Sequence, residues 1–179
     1  MAFSQKMTVE VEIEGEIMKN KVYEFLNSEN IKYEVTDHAP VYTMEEMQAE
    51  GLDKLGTICK NLFIRDQKGK KHFLITADND TRVNLKEIGT KLDAGKVSFA
   101  SAERLEKYLG VTAGCVSPLG ILNDAEHVVT VVLDKKLEGC EKLGVHPNEH
   151  DATVWLNFND LANIIKSQGN ELIILDFEN

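Results

Sequence analysis

A lysine stands inside an apolar run, Ile58-Cys59-Lys60-Asn61-Leu62-Phe63-Ile64. On a strand, Lys60 shares a face with Ile58, Leu62 and Ile64. Burying an unpaired ammonium is costly, so such a lysine either reaches the rim of the fold or points into a cleft that takes an anion. Three other segments carry residues that can do chemistry. Asp37-His38-Ala39-Pro40-Val41-Tyr42-Thr43 reads either as a rigid turn with a half-exposed imidazole or as a ligand contact. The stretch from Gly114 to Asp124 sets Gly114 and Gly120 around Ser117-Pro118, where freed backbone N–H groups let a ligand approach the main chain. It has neither the Gly-Lys-Ser/Thr ending of a phosphate loop nor the Gly-x-Ser-x-Gly of a nucleophile elbow. The last segment, Gly144 to Thr153, is dense in histidine and acid: His146, Glu149, His150 and Asp151. Pro147 bars helical ligand spacing there, and no Cys pair or His-Glu-x-x-His motif completes a zinc set, so neither metal nor cofactor is expected. Cys115 acting as a thiolate with His146 as its base is a second chemical option, beside the plainer one of a small buried cysteine.

The elements that must hold these segments follow from periodicity and punctuation. Met18, Val22, Phe25 and Leu26 place a helix over Glu16 to Leu26, and Ile31, Tyr33 and Val35 alternate as a strand. Thr43 with Glu46 forms a capping box for a helix ending near Gly51. Thr57–Arg65 and His72–Ala77 read as two strands of a hairpin closed by Asp66-Gln67-Lys68-Gly69-Lys70. Asn84–Leu92 is a helix, Lys96–Phe99 a short strand, and Ser101 caps a helix that runs to Leu109 and stops at Gly110. Val128–Leu133 is a β-branched run suited to a strand buried on both faces. Asn159 caps a last helix to Gln168, and Leu172–Phe177 is a final strand. Residues 1–15, where Val9, Val11 and Ile13 alternate with acids, read as a short strand or an acidic appendage. The expectation is an α/β (α+β) chain: an N-terminal acidic extension over 1–15 and one domain over 16–179, built on a mixed, mostly antiparallel sheet flanked by helices.

Composition narrows the function classes. The 179 residues hold 20 Lys+Arg against 30 Asp+Glu, a formal charge of −10, which excludes gripping nucleic acid, DNA above all, by overall charge but permits a local basic site. No stretch is apolar for long enough to span a membrane, and three cysteines make no disulfide framework, so a reducing cytoplasm is the expected location. Arg65, Lys68, Lys70 and Lys71 cluster on the hairpin, with Arg82 soon after. They read either as a solvated tip or as a footprint for a polyanion.

Taken in order, Asp37-His38-Ala39-Pro40-Val41, Cys59-Lys60-Asn61-Leu62-Phe63, Gly114-Cys115-Val116-Ser117-Pro118, and His146-Pro147 followed by Ala152-Thr153 resemble the free-standing aminoacyl-tRNA deacylases of the YbaK/ProX type, relatives of the editing (insertion) domain of bacterial prolyl-tRNA synthetases. The resemblance runs from about Glu16 to Phe177. Ile121-Leu122-Asn123-Asp124 looks more like the branch that clears alanine from tRNA(Pro), associated with proline metabolism. Asn148-Glu149-His150-Asp151 departs from the pattern, since relatives tend to carry an apolar residue and an Asn there. The first fifteen residues have no counterpart.

The resemblance implies a trans-editing hydrolase for Ala-tRNA(Pro) that cuts the aminoacyl ester at the tRNA 3′ end without metal or cofactor. The substrate's own ribose hydroxyl helps to activate water. It implies Lys60 on the terminal phosphate or ribose, Gly114 and its neighbours on the α-amino group or carbonyl oxygen, and His146 on the terminal nucleotide. Asn61, His38, Cys115, Ser117 and Pro118 are then substrate contacts, with Ile31 and Val35 as apolar walls that exclude proline by size. Arg65, Lys68, Lys70, Lys71 and Arg82 would meet the acceptor stem. The partners are the acceptor end of aminoacylated tRNA(Pro) and, as a further option, prolyl-tRNA synthetase. Clearance of cysteine or another small amino acid is one alternative. The others are a non-catalytic binder of aminoacyl-tRNA or synthetase and an unrelated small-molecule enzyme.

Overall fold

Alternation along the central hairpin gives the fold two apolar faces to cover. The protein is described by a computed structural model covering the backbone of residues 2–41 and 43–178, with the side chains of 2–12 and 44 left aside. Strands β2 (Thr57–Asp66) and β3 (His72–Asp78) pair antiparallel, with Lys60 opposite Ala77 and Arg65 opposite His72. Phe63 and Leu74 face one core; Ile64, Phe73 and Ile75 face the other. Each such fully buried side chain contributes about 1.5–3 kcal/mol. β5 (Val129–Asp134) lies parallel to β3, and β8 (Leu172–Leu175) parallel to β5, so the β-branched run is buried on both faces, as its composition requires.

The other side of β2 is shared. β4 (Val97–Phe99) pairs antiparallel with residues 64–66, whereas β6 (Leu143–Val145) pairs parallel with only Thr57 and Ile58. Residues 59–62 of β2 therefore have no partner strand on that side among the described residues. β7 (Ala152–Leu156) and β1 (Glu34–Asp37) extend the sheet beyond β6, giving the order β1-β7-β6-β2-β3-β5-β8 with β4 on β2. Gly144 lets β6 lie under the Trp155 ring, since a Cβ there would stand 2.7 Å from it. The result is a mixed sheet, four of its seven strand pairs antiparallel, as expected.

Helices cover the sheet: α1 (Ala2–Ser28), α2 (Met44–Ala49), α3 (Leu85–Lys91), α4 (Ala102–Leu109) and α5 (Phe158–Ser167). Among the described residues none is long and apolar enough to cross a membrane. The Thr43–Glu46 capping box is present on α2. Two local readings change. Residues 2–15 are not a strand but helix, continuous with 16–28, because the isolated Gly15 does not break the helix. The cap of α5 is Asn157, whose side chain accepts from the Asp160 N–H at 2.8 Å, rather than Asn159; starting there puts Phe158, Leu161 and Ile165 on the buried face. Strands β6 and β7 were not expected at all.

Candidate functional site

The unpaired stretch of β2 is where a cleft opens. It measures about 260 Å³ and is lined by Thr43 and Met47 at the start of α2, Cys59-Lys60-Asn61 of β2, Asn79, Gly114, Val116 and His146. Lys60 is half-buried, and its Nζ donates to the Asn79 carbonyl at 2.9 Å. A carbonyl is a neutral acceptor and leaves the charge of the ammonium uncancelled. Asn61 Oδ1 accepts from Thr76 Oγ1 at 2.8 Å, which fixes the rotamer of its amide.

Two buttresses hold this arrangement. The buried Asp134 carboxylate accepts from Thr81 Oγ1, from the Asp78 N–H at 3.3 Å and from the Lys136 N–H at 3.0 Å, pinning the turn after β3 that presents the Asn79 carbonyl. Ser117, fully buried, donates to the His146 carbonyl and accepts from the Leu119 N–H at 3.2 Å, so it caps the 3-10 turn Pro118–Asn123 while tying it to the histidine segment. Gly114 is exposed at φ +92°, a conformation open to glycine and strained for other residues. Burial holds the His146 imidazole below its ordinary pKa range, against a weaker opposite pull from the Ala152 backbone; it is therefore neutral near pH 7.

Lys60, Asn61, Gly114 and His146, named from the sequence, thus meet on one cleft. Other named residues do not line it. His38 lies across the histidine segment, its Nδ1 on the Ala39 carbonyl at 2.8 Å and its Nε2 on Thr153 Oγ1 at 2.9 Å, in a separate cavity. Ile31 packs against the main core, and Val35, on β1 opposite Val154, is 40% exposed. Neither is among the residues that line the cleft, and Val35 sits on β1, which pairs with β7 at the edge of the sheet. Ser117 and Pro118 are buried supports of the loop. Cys115 is buried with its Sγ 3.3 Å from His150 Nδ1 rather than on His146, and burial pushes its thiol up, which argues against a thiolate nucleophile.

The basic residues divide. Arg82 is exposed on the turn after Asn79. Lys68, Lys70 and Lys71 lie at the closed end of the hairpin, about 20 Å from Lys60 along β2. Arg65 spends its guanidinium on the Asp66 and Gln67 carbonyls at 3.0 and 3.1 Å, and Lys71 Nζ donates to the Asp93 carbonyl at 3.1 Å. Sequence reading missed Asn79 and Met47, and named Thr43 and Val116 only as members of their segments. The hairpin register, which sets Cys59 opposite Asp78, was the signal available for Asn79.

Chemically, the cleft offers one fixed cation, backbone donors at a glycine turn, an amide and a neutral imidazole. This set suits holding an anionic or polyhydroxylic end group and stabilising charge that develops on a carbonyl oxygen. Comparisons with known proteins agree. A family profile described as "Aminoacyl-tRNA editing domain" matches residues 38–164. The prolyl-tRNA editing protein ProX of Acetoanaerobium sticklandii is 46% identical over 152 residues, 85% of this chain and 93% of the relative. The prolyl-tRNA synthetase associated domain-containing protein 1 of Mus musculus is 33% identical over 167 residues, 92% and 99% of the two chains. A solved structure described as a candidate trans-editing enzyme for prolyl tRNA synthetase superposes with a TM-score of 0.65 at 21% identity, covering 89% of this chain and 96% of that one, and speaks for the fold alone.

Proposed function

The chain belongs to the aminoacyl-tRNA editing domain family and is an aminoacyl-tRNA deacylase of the prolyl-tRNA editing kind, and from that premise we propose that the ester it cuts is that of Ala-tRNA(Pro). The observation that carries this reading is the meeting of Lys60, Gly114 and His146 on one cleft of about 260 Å³. The Lys60 ammonium holds the terminal phosphate or ribose. N–H groups at the Gly114 turn meet the carbonyl oxygen as it gains charge, and the neutral His146 and Asn61 orient the terminal nucleotide. The ribose hydroxyl of the substrate positions the attacking water, which suffices for an ester already more reactive than an amide.

Met47 and Val116 are the apolar walls of the amino-acid pocket in this reading, in place of Ile31 and Val35. A wall that clashes with the pyrrolidine ring spares Pro-tRNA(Pro). Preference for a larger side chain through one extra methylene, by contrast, is worth only about 1–3 kcal/mol. The enzyme acts in trans, in the cytoplasm, on tRNA(Pro) mischarged by prolyl-tRNA synthetase, with residues 16–179 as the editing domain.

The test is a panel of tRNA(Pro) charged with alanine, cysteine, serine or proline. Fast release of alanine with proline spared is the expected result. Faster release of cysteine moves the substrate to that amino acid, and release of none makes the protein a binder of aminoacyl-tRNA or synthetase.

A further inference from the structure

Close in sequence to the cleft residues Gly114 and His146 lies a second constellation that the proposed hydrolysis does not use. Among the described residues, one group of cysteine, histidine and carboxylate ligand atoms converges within 4.8 Å: Cys115, Glu149 and His150. Cys115 Sγ stands 3.3 Å and Glu149 Oε2 3.6 Å from the same atom, His150 Nδ1. That shared nitrogen decides between two readings. A nucleophile relay sets the thiol on one ring nitrogen and the acid on the other, so that a proton passes through the imidazole. Here sulfur and carboxylate both converge on Nδ1 instead.

Convergence on one point suits a cation. Tetrahedral zinc, with Zn–S of about 2.3 Å and Zn–N and Zn–O of about 2.0–2.2 Å, needs neighbouring ligand atoms roughly 3.3–3.6 Å apart. The two separations to Nδ1 already match, and the sulfur and carboxylate, within 4.8 Å of each other, would close around the ion. We propose that Cys115, Glu149 and His150 form a three-ligand site for a zinc-class divalent metal ion, which would fasten the Gly114–Cys115 turn to the 146–151 segment.

The mix of thiolate, imidazole and carboxylate selects zinc over magnesium or calcium, which take oxygen ligands. Access comes from the adjoining cavity of about 460 Å³, lined by Lys19, His38, Pro40, Glu149, His150 and Asp151 among others, which leaves room for water at the fourth position. Lys19, the nearby cation on that wall, has both its contacts on the Asp151 carboxylate, at 2.8 and 3.0 Å. The ion's role is structural: Gly114 and His146 line the Lys60 cleft, and their near neighbours in sequence are its ligands.

The full-length protein, reduced and stripped with chelator, is titrated with Zn²⁺ by calorimetry and with Co²⁺ by absorbance. The expected result is one ion per chain, a thiolate-to-cobalt charge-transfer band, and a Tm raised by Zn²⁺. Cys115→Ser, Glu149→Gln and His150→Asn each weaken binding at least about tenfold, whereas Cys140→Ser does not. Glu149→Gln, at a half-buried position, keeps the test open if Cys115→Ser fails to fold. Absence of saturable binding, a cobalt spectrum without the sulfur band, or Zn²⁺ affinity kept within threefold by Glu149→Gln overturns the site. Because the readout is metal binding and Tm, its failure leaves the editing reading untouched.

Discussion

The two ends of the β2–β3 hairpin are both cationic, and they are built in opposite ways. At the open end one lysine, Lys60, is half-buried in a small cleft on a single neutral carbonyl, held there by a turn that a buried aspartate pins. At the closed end Lys68, Lys70 and Lys71 are exposed. The turn there is internally satisfied: Asp66 Oδ1 accepts from the Lys70 and Lys71 N–H groups at 2.7 and 3.0 Å, and these bonds, that of Lys71 foremost, hold the carboxyl below its usual range. The number of cations therefore says little about where chemistry happens. A half-buried cation with no carboxylate partner among the described residues is screened less than exposed surface lysines are.

Substitutions at the two ends should separate these roles. Lys60→Ala should lower the rate of alanine release on the order of 100-fold or more, the scale of removing one preorganised charge-stabilising group. Its Tm should stay within about 2 °C of wild type, as for a side chain outside the core. A strongly destabilised variant would make Lys60 a structural lysine. Asp134→Asn comes next. It weakens acceptors of the turn bonds, and release should slow by about tenfold while stability falls by about 1–3 kcal/mol, read by denaturant unfolding. An unchanged rate would show that the Asn79 turn needs no buttress.

The closed end should respond more mildly. Replacing Lys68, Lys70 and Lys71 together by Ala should raise KM several-fold, leave kcat in place and flatten the salt dependence of tRNA binding by up to about three counterions. A loss of kcat would merge the two ends into one site. The smallest effect concerns pH. Burial foremost, then Arg104, holds His72 at the closed end below 6.5, as burial holds His146 at the other. Between the lowered folded pKa and the unfolded value of 6.5 the unfolded chain binds more protons. Stability therefore rises with pH in that window and is lost as pH falls below 6.5. Glu149, its carboxyl pushed up by burial, works in the opposite sense above 4.5, so the histidine contribution is read by difference. The drop in Tm from pH 7 to pH 5 should be smaller in His72→Gln than in wild type, and an equal drop would contradict the assignment.

What the sequence disclosed follows the range of the forces involved. The hairpin, the α2 capping box and β5 are set by neighbours in the chain, and their residues announce them. Lys60 stood out because a charge in an apolar strand conflicts with burial, and the structure places it on a cleft. β6 and β7 were hidden because a three-residue strand carries too little period to read, and Ala152–Leu156 follows a polar segment that looks like loop. Ile31, Val35 and His38 were named from the family resemblance, and none of the three is among the residues that line the cleft. The helical start of α1 was misread from three alternating apolar residues, a pattern too short to outweigh the uninterrupted helix that follows it.

The most direct test is single-turnover release of alanine from Ala-tRNA(Pro) at saturating enzyme, comparing wild type with Lys60→Gln and with the triple lysine variant of the hairpin tip. Saturation removes differences in binding, so the account predicts a wild-type rate for the tip variant and a collapse for Lys60→Gln. A Lys60→Gln rate within threefold of wild type would contradict it.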